Sequence, residues 1–234
     1  MRLQKQSFTF GLVILLTSML MPISTFAQNT KADYADISTL EIGVSHENWQ
    51  VENVPGLDLA TGSSWGFVFE TMHKGRLSDQ WSMWFGVKGI AAQPTFNIDH
   101  SQGELPVFDL EGQMPGKLKM EVGQVKMPLY VRYQFSPGFP SFFLESGPEG
   151  GYIASATYGY TGGAKSVNYD MKKQDKVNNF QFGWGLNGGY AFLWEDTYWE
   201  AGLSASYQAT PLLDVQEDAR FRPLSVALSL GFNF

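Results

Sequence analysis

The sequence has no cysteine, which excludes disulfide staples, thiolate metal sites, a cysteine nucleophile and a lipoprotein export signal. It has few charges: 17% of its residues are charged, too few for a surface that meets water everywhere. The 16 basic residues are outnumbered by 23 acidic ones, for a formal net charge of -7, which argues against nucleic acid as a partner. Beyond the N-terminus, no segment is apolar for long enough to cross a bilayer as a helix. Present in excess are 25 glycines and 15% aromatics, a mixture of the smallest and the bulkiest side chains that suits a sheet with one face against lipid.

The chain opens on Met1-Arg2-Leu3-Gln4-Lys5, continues with an apolar run from Phe8 to Met21, and reaches Thr25-Phe26-Ala27-Gln28. A basic start, an apolar stretch shorter than a membrane span and a small residue before a polar one make a secretory signal peptide, with cleavage expected after Ala27. Residues 1–27 are therefore expected to leave the fold, 28–38 to form a short periplasmic segment, and 39–234 to form one domain. About 200 mature residues suit a single folding unit.

Period-2 alternation dominates that domain. Near the C-terminus Leu224, Val226, Leu228, Leu230, Phe232 and Phe234 share one parity, while Ser225, Ala227, Ser229, Gly231 and Asn233 share the other. Residues 180–192 repeat this, with Phe180, Phe182, Trp184, Leu186, Tyr190 and Phe192 against Gln181, Gly183, Gly185, Asn187, Gly189 and Ala191. A soluble barrel would put its bulk inside and its charges outside. Here the polar face is tiny and the other face is apolar bulk, which predicts an all-β, antiparallel, up-and-down transmembrane barrel in the outer membrane.

Strands are expected over 39–48, 63–73, 80–92, 118–135, 141–156, 177–194, 197–208 and 222–234, about eight in all. The connections 49–62, 93–117, 157–176 and 209–221 are long, and those at 74–78, 136–140 and 194–197 are tight. This rhythm places the tight turns and both termini in the periplasm. Trp81, Trp194, Tyr198 and Trp199, beside the tight turns, are expected to form the inner aromatic girdle. Two strands break the pattern. Met120 and Val122 are out of phase with Val125, Met127, Leu129 and Val131, which predicts a bulge near Gly123-Gln124 to turn both sets outward. Pro148 lacks an amide, which predicts a bulge or kink in its own strand.

The order of Leu40-Glu-Ile-Gly-Val44, Met127-Pro-Leu-Tyr-Val-Arg-Tyr133, Leu144-Glu-Ser-Gly-Pro148, Phe182-Gly-Trp-Gly-Leu-Asn-Gly-Gly-Tyr190, Gly202-Leu-Ser-Ala-Ser-Tyr207 and Leu230-Gly-Phe-Asn-Phe234 resembles the PorT-like outer-membrane β-barrel family. The resemblance covers nearly all of the mature chain. It implies an eight-stranded barrel, some of whose relatives serve protein secretion, and it implies no catalytic residues. Phe234, with Phe232 and Leu230 before it, looks like the signal read by the barrel assembly machinery.

A hairpin centred on Gly138-Phe139 would set Arg132 opposite Glu145, with Glu149 diagonal to Lys126 and Tyr130, all pointing inward. Buried charges need partners, so these residues, with Glu41, Glu70, Lys88 and Glu200, are expected to plug the lumen. A gated polar path is the competing reading. His46, His73 and His100 are not placed to act together, which leaves a lipid-modifying enzyme the third choice, and neither a cofactor nor a metal is implied. Asp99, His100, Glu104 and Asp109 match no metal motif and are expected to be a solvated acidic loop. The third outer loop, with Lys165, Lys172, Lys173 and Lys176 beside Tyr158, Tyr160 and Tyr169, is the expected binding surface. The expected role is a structural or surface-binding scaffold in outer-membrane lipid; the runner-up is an accessory part of a secretion or surface-assembly complex.

Overall fold

A computed structural model describes residues 37–52, 57–58, 63–98, 104–105, 110–111, 116–162, 165–172, 177–212 and 220–233. The expected signal peptide, most of the expected periplasmic segment, Phe234 and the loop positions Asp99, His100 and Asp109 lie outside these residues. Eight long strands form the wall: β1 Ser38–Glu52, β2 Ser63–Arg76, β3 Trp81–Ala92, β4 Gly116–Gln134, β5 Ser141–Gly162, β6 Phe180–Trp194, β7 Thr197–Gln208 and β8 Arg220–Asn233. Each pairs antiparallel with its neighbours in the chain, and β1 pairs with β8, so the barrel closes and no wall strand is left as an edge.

The alternation decides which face meets lipid. Phe67, Phe180 and Leu228 are 73%, 75% and 68% exposed on the outside, whereas Lys126, Arg132 and Glu149 are 4%, 3% and 1% exposed within. Outward polar atoms in this belt are satisfied locally: the Ser146 hydroxyl donates to the Gly185 carbonyl at 3.0 Å and accepts from the Trp184 indole at 2.7 Å. The β6–β7 hairpin turns on Glu195 and Asp196, whose φ angles of 51° and 64° fit a two-residue turn with both central residues left-handed. Trp81 and Trp194 are exposed at the tight-turn end, as expected of a girdle, and Trp199 packs at 5.5 Å on Phe232. Tyr198 departs from that expectation. The parity of β7 turns it inward, where it is buried.

The register does shift at Gly123/Gln124, but the additional residue belongs to the facing strand. Gly123 pairs with Ser155 and Gln124 with Ile153, so Ala154 of β5 is the bulge, and β4 keeps a single phase throughout. Leu118, Met120 and Val122 therefore face inward with Gln124 and Lys126, correcting the expectation that Met120 and Val122 face lipid. The bulge flips β5 instead: below it Glu149 and Ile153 are buried, above it Ala156, Tyr158 and Tyr160 are. Pro148 carries no bulge. The β4–β5 ladder lacks pairs across Leu129–Tyr130 and Gly147–Pro148 while keeping its register, as a missing amide requires.

On the side of the long connections, β4 and β5 continue beyond the lipid belt. From Gln124 to Gly116, β4 rises for roughly 30 Å along the strand, and its outward residues become Glu121, Lys119 and Lys117. Thr95–Ile98 pairs with its end, and Lys165–Asp170 pairs with the end of β5, so part of each expected loop is sheet. The inner face of this layer buries Leu118, Met120, Ile153, Tyr158 and Tyr160 with Trp49, Phe96 and Phe221 over the barrel mouth. Deleting Ala154 is expected to rotate Tyr158 and Tyr160 out of that core. Chymotrypsin on intact cells should then cut the outer layer, while the barrel keeps its heat-dependent shift in gel mobility.

Candidate functional site

The lumen is the polar site of the molecule, and the registers build it. Glu200 pairs with Gly231, Gly231 with Glu41, Glu41 with Glu70, Glu70 with Lys88 and Lys88 with Lys126, so one hydrogen-bonded row carries five ionisable side chains around the inner wall. Gly231 makes room for this, because a Cβ there would lie 2.7 Å from Glu41 Cγ and 3.0 Å from Glu200 Cγ. A second row runs from Arg132 to Glu145, Asn187 and Ser204. The barrel's tilt lets the side chains of the two rows meet across the interior.

Arg132 is the most heavily engaged of them. Its Nε donates to Glu145 at 2.6 Å, and its Nη1 donates to Glu200 at 2.6 Å and to the Tyr198 hydroxyl at 3.0 Å. The guanidinium also lies 3.8 Å from the ring centroids of both Trp84 and Phe143. Asn187 donates to the other oxygen of Glu145 at 2.6 Å. A second centre forms around Glu149, which takes the Lys126 ammonium at 2.9 Å, Lys88 at 3.5 Å and the Tyr130 hydroxyl. Lys88 bridges at 3.5 Å to Glu70, and Lys126 also donates to Ser206 at 3.3 Å. Ser229 holds Glu41 at 3.1 Å.

The structure thus brings together Arg132, Glu145 and Glu200 in one centre and Lys126, Tyr130 and Glu149 in the other. Tyr198 joins the first centre, and its proximity in sequence to the Trp194 turn had pointed to the girdle instead. The signal was its parity, shared with Glu200. Apolar groups seal the network at both ends. Toward the tight turns lie Ile37, Met72, Trp84, Phe143 and Ala191, and toward the long connections the outer-layer core. The central cavity, bordered by Glu41, Arg132, Glu145, Asn187 and Glu200, measures about 10 Å³, room for about one water.

Other expected positions stand apart. His46 packs edge-on against Trp65 at 5.0 Å near the outer rim, while His73 contacts Ser38 at 2.7 Å near the turns. Tyr158 and Tyr160 are buried strand residues, a correction to their placement on a binding loop. Lys172 folds back onto Tyr152 at 4.4 Å and donates to the Ile153 carbonyl at 2.8 Å. The side chains of Lys165, Tyr169, Lys173 and Lys176 lie outside the described residues. Leu230 faces lipid, as the alternation of β8 requires. No group of three or more His, Asp or Glu fit to hold a metal occurs among the described residues.

Removing Arg132 leaves two carboxylates buried without their partner. Arg132→Ala is expected to lower stability by about 3–5 kcal/mol, whereas Arg132→Met with Glu145→Leu and Glu200→Leu should recover most of that loss. Urea unfolding in lipid vesicles, followed by tryptophan fluorescence, measures both.

Comparison with solved structures finds similar chain paths at low identity. Ail, the attachment invasion locus protein of Yersinia pestis, matches at 14% identity and a TM-score of 0.38, over 86% of this chain and 99% of that one. OprG of Pseudomonas aeruginosa matches at 12% and 0.43, over 86% and 96%. Neisserial surface protein A matches at 11% and 0.40, over 84% and 97%. A comparison with curated proteins finds no match. The family model described as outer membrane protein beta-barrel domain matches residues 26–208. With the closed antiparallel wall and its lipid-facing belt, that match makes the chain a member of the outer membrane protein beta-barrel domain family, located in the outer membrane.

Proposed function

We propose that this barrel is a closed scaffold that acts through its outer layer, holding anionic surface glycan or lipopolysaccharide there, while its lumen conducts nothing. The carrying observation is the contrast between the two halves. Two ion-pair centres and the apolar cluster toward the tight turns fill the lumen, whereas β4 and β5 continue past the lipid belt as a sheet whose own apolar core closes the mouth. Lys117 and Lys119 stand exposed on that sheet, Lys119 within 3.7 Å of Glu121, and such solvated cations favour a phosphate- or carboxylate-bearing partner. On this reading the chain is exported by a signal cleaved after Ala27, is assembled through the segment ending Leu230, Phe232 and Phe234, sets its tight turns in the periplasm, and is not an enzyme.

The narrower PorT-like resemblance favours a second reading, an accessory part of a secretion complex. Mild-detergent co-purification separates the two, since a secretion component brings a stoichiometric protein partner with it. Planar bilayers containing the purified protein should show no steps above background, and a steady channel would contradict a filled lumen. Replacing residues 161–176 by a short Gly-Ser turn, or Lys117 and Lys119 by glutamate, should leave insertion intact and weaken lipopolysaccharide binding at least about tenfold. Unchanged binding in both variants would remove the outer layer from the function.

A further inference from the structure

The lipid-facing wall is not smooth. Where β5, β6 and β7 adjoin, Gly188 and Gly189 follow each other on β6, and Gly189 pairs with Gly202 of β7. Gly189 faces inward against Phe143, whose ring a Cβ at that position would meet at 2.5 Å. Gly188 faces outward, and a Cβ there would find only Leu144 Cδ1 at 3.7 Å and the Phe143 carbonyl at 3.8 Å. With no side chain on the outer side of Gly188, a groove of about 650 Å³ opens there between Phe142, Leu144, Tyr190 and Ala201. A second hollow of about 370 Å³, bounded by Phe139, Pro140 and Leu193, lies next to it and shares Tyr190 as a wall. Together they line β6 from Gly188 to Leu193, roughly 17 Å of strand, and Leu193 stands two residues before the Glu195–Asp196 turn.

We infer that this groove seats one acyl chain of a phospholipid whose ammonium headgroup rests against Glu195 and Asp196. Two observations select that occupant. The groove is continuous with the belt that faces acyl tails, and its lining is mostly aliphatic and aromatic, so a hydrocarbon chain that fills it buries apolar surface at little polar cost. Its lower end carries charge of one sign. Glu195 and Asp196 are exposed in the turn, and neither the 135–140 turn nor β6 and β7 contain a lysine or arginine. An amine headgroup is attracted there and a purely anionic one repelled. The choice of a phospholipid over lipopolysaccharide rests on the periplasmic placement of the tight turns proposed above.

Native mass spectrometry of the full-length protein, taken from its own membranes in mild detergent, tests this. The wild type should retain one aminophospholipid. Gly188→Leu, which fills the groove with a side chain the surface accommodates, should retain at least about tenfold less. Glu195→Asn with Asp196→Asn, residues that tolerate the left-handed turn, should keep lipid but lose the preference for the amine headgroup. Heat-dependent gel mobility checks that each variant folds. Equal retention by wild type and Gly188→Leu, or no lipid on the wild type, overturns the groove. Retention of lipopolysaccharide instead overturns the occupant and places the turn in the outer leaflet, separating that failure from loss of surface binding.

Discussion

With water removed from a narrow barrel, every lumen charge depends on another side chain for its solvation, and Arg132 is where that dependence is most concentrated. It comes from β4, where Glu145 of β5 is its ladder partner, but Glu200 and Tyr198 come from β7, which the ladder does not join to β4. Such a network is weak evidence for stability in absolute terms, because burying each ion costs several kcal/mol before pairing returns it. Its value lies in fixing one arrangement. The glycines at 185, 189 and 231 leave the space that Tyr130, Phe143 and the carboxylates of Glu41 and Glu200 occupy, so small and large residues on the inner face specify one another.

The same sheet serves two solvents, and Ala154 marks the change. In the membrane, the inner face of β5 presents glutamates and glycines to the ion pairs. Past the bulge, the phase reverses and presents Ala156, Tyr158 and Tyr160 to a core that closes the mouth. Without the reversal, serine, threonine and glycine would line that core while two tyrosines stood in water. One inserted residue thus lets a continuous strand belong both to the lipid-bounded barrel and to the layer above it.

Much of this was legible in the residues. The parity of 224–234 and of 180–192 gave the sign of the barrel, bulk outward and small residues inward, and the alternation of long and tight connections gave eight strands. Centring one hairpin on Gly138-Phe139 paired Arg132 with Glu145 as observed. The position of the register shift was also visible, since Met120 and Val122 break phase with their successors. What they were doing was not. In a membrane strand apolar residues point by default to lipid, and only the layer packed above the mouth provides a second apolar environment for them. For Tyr198, strand parity and not nearness to the turn decides the direction of the side chain.

The sequence by itself determined the fold class and, within the lipid belt, which face of the strands at 180–192 and 224–234 meets lipid, because a strand's alternation is local and lipid and lumen demand opposite side chains. Which charges meet was decided by the tertiary structure. Arg132 reaches Glu200 across 68 residues, and Lys126 reaches Ser206 across 80, distances in sequence that only closure of β1 on β8 and the tilt of the strands make short in space. The groove beside Gly188 is likewise invisible locally. A glycine on a lipid face means little until the side chains of the two neighbouring strands are set around it.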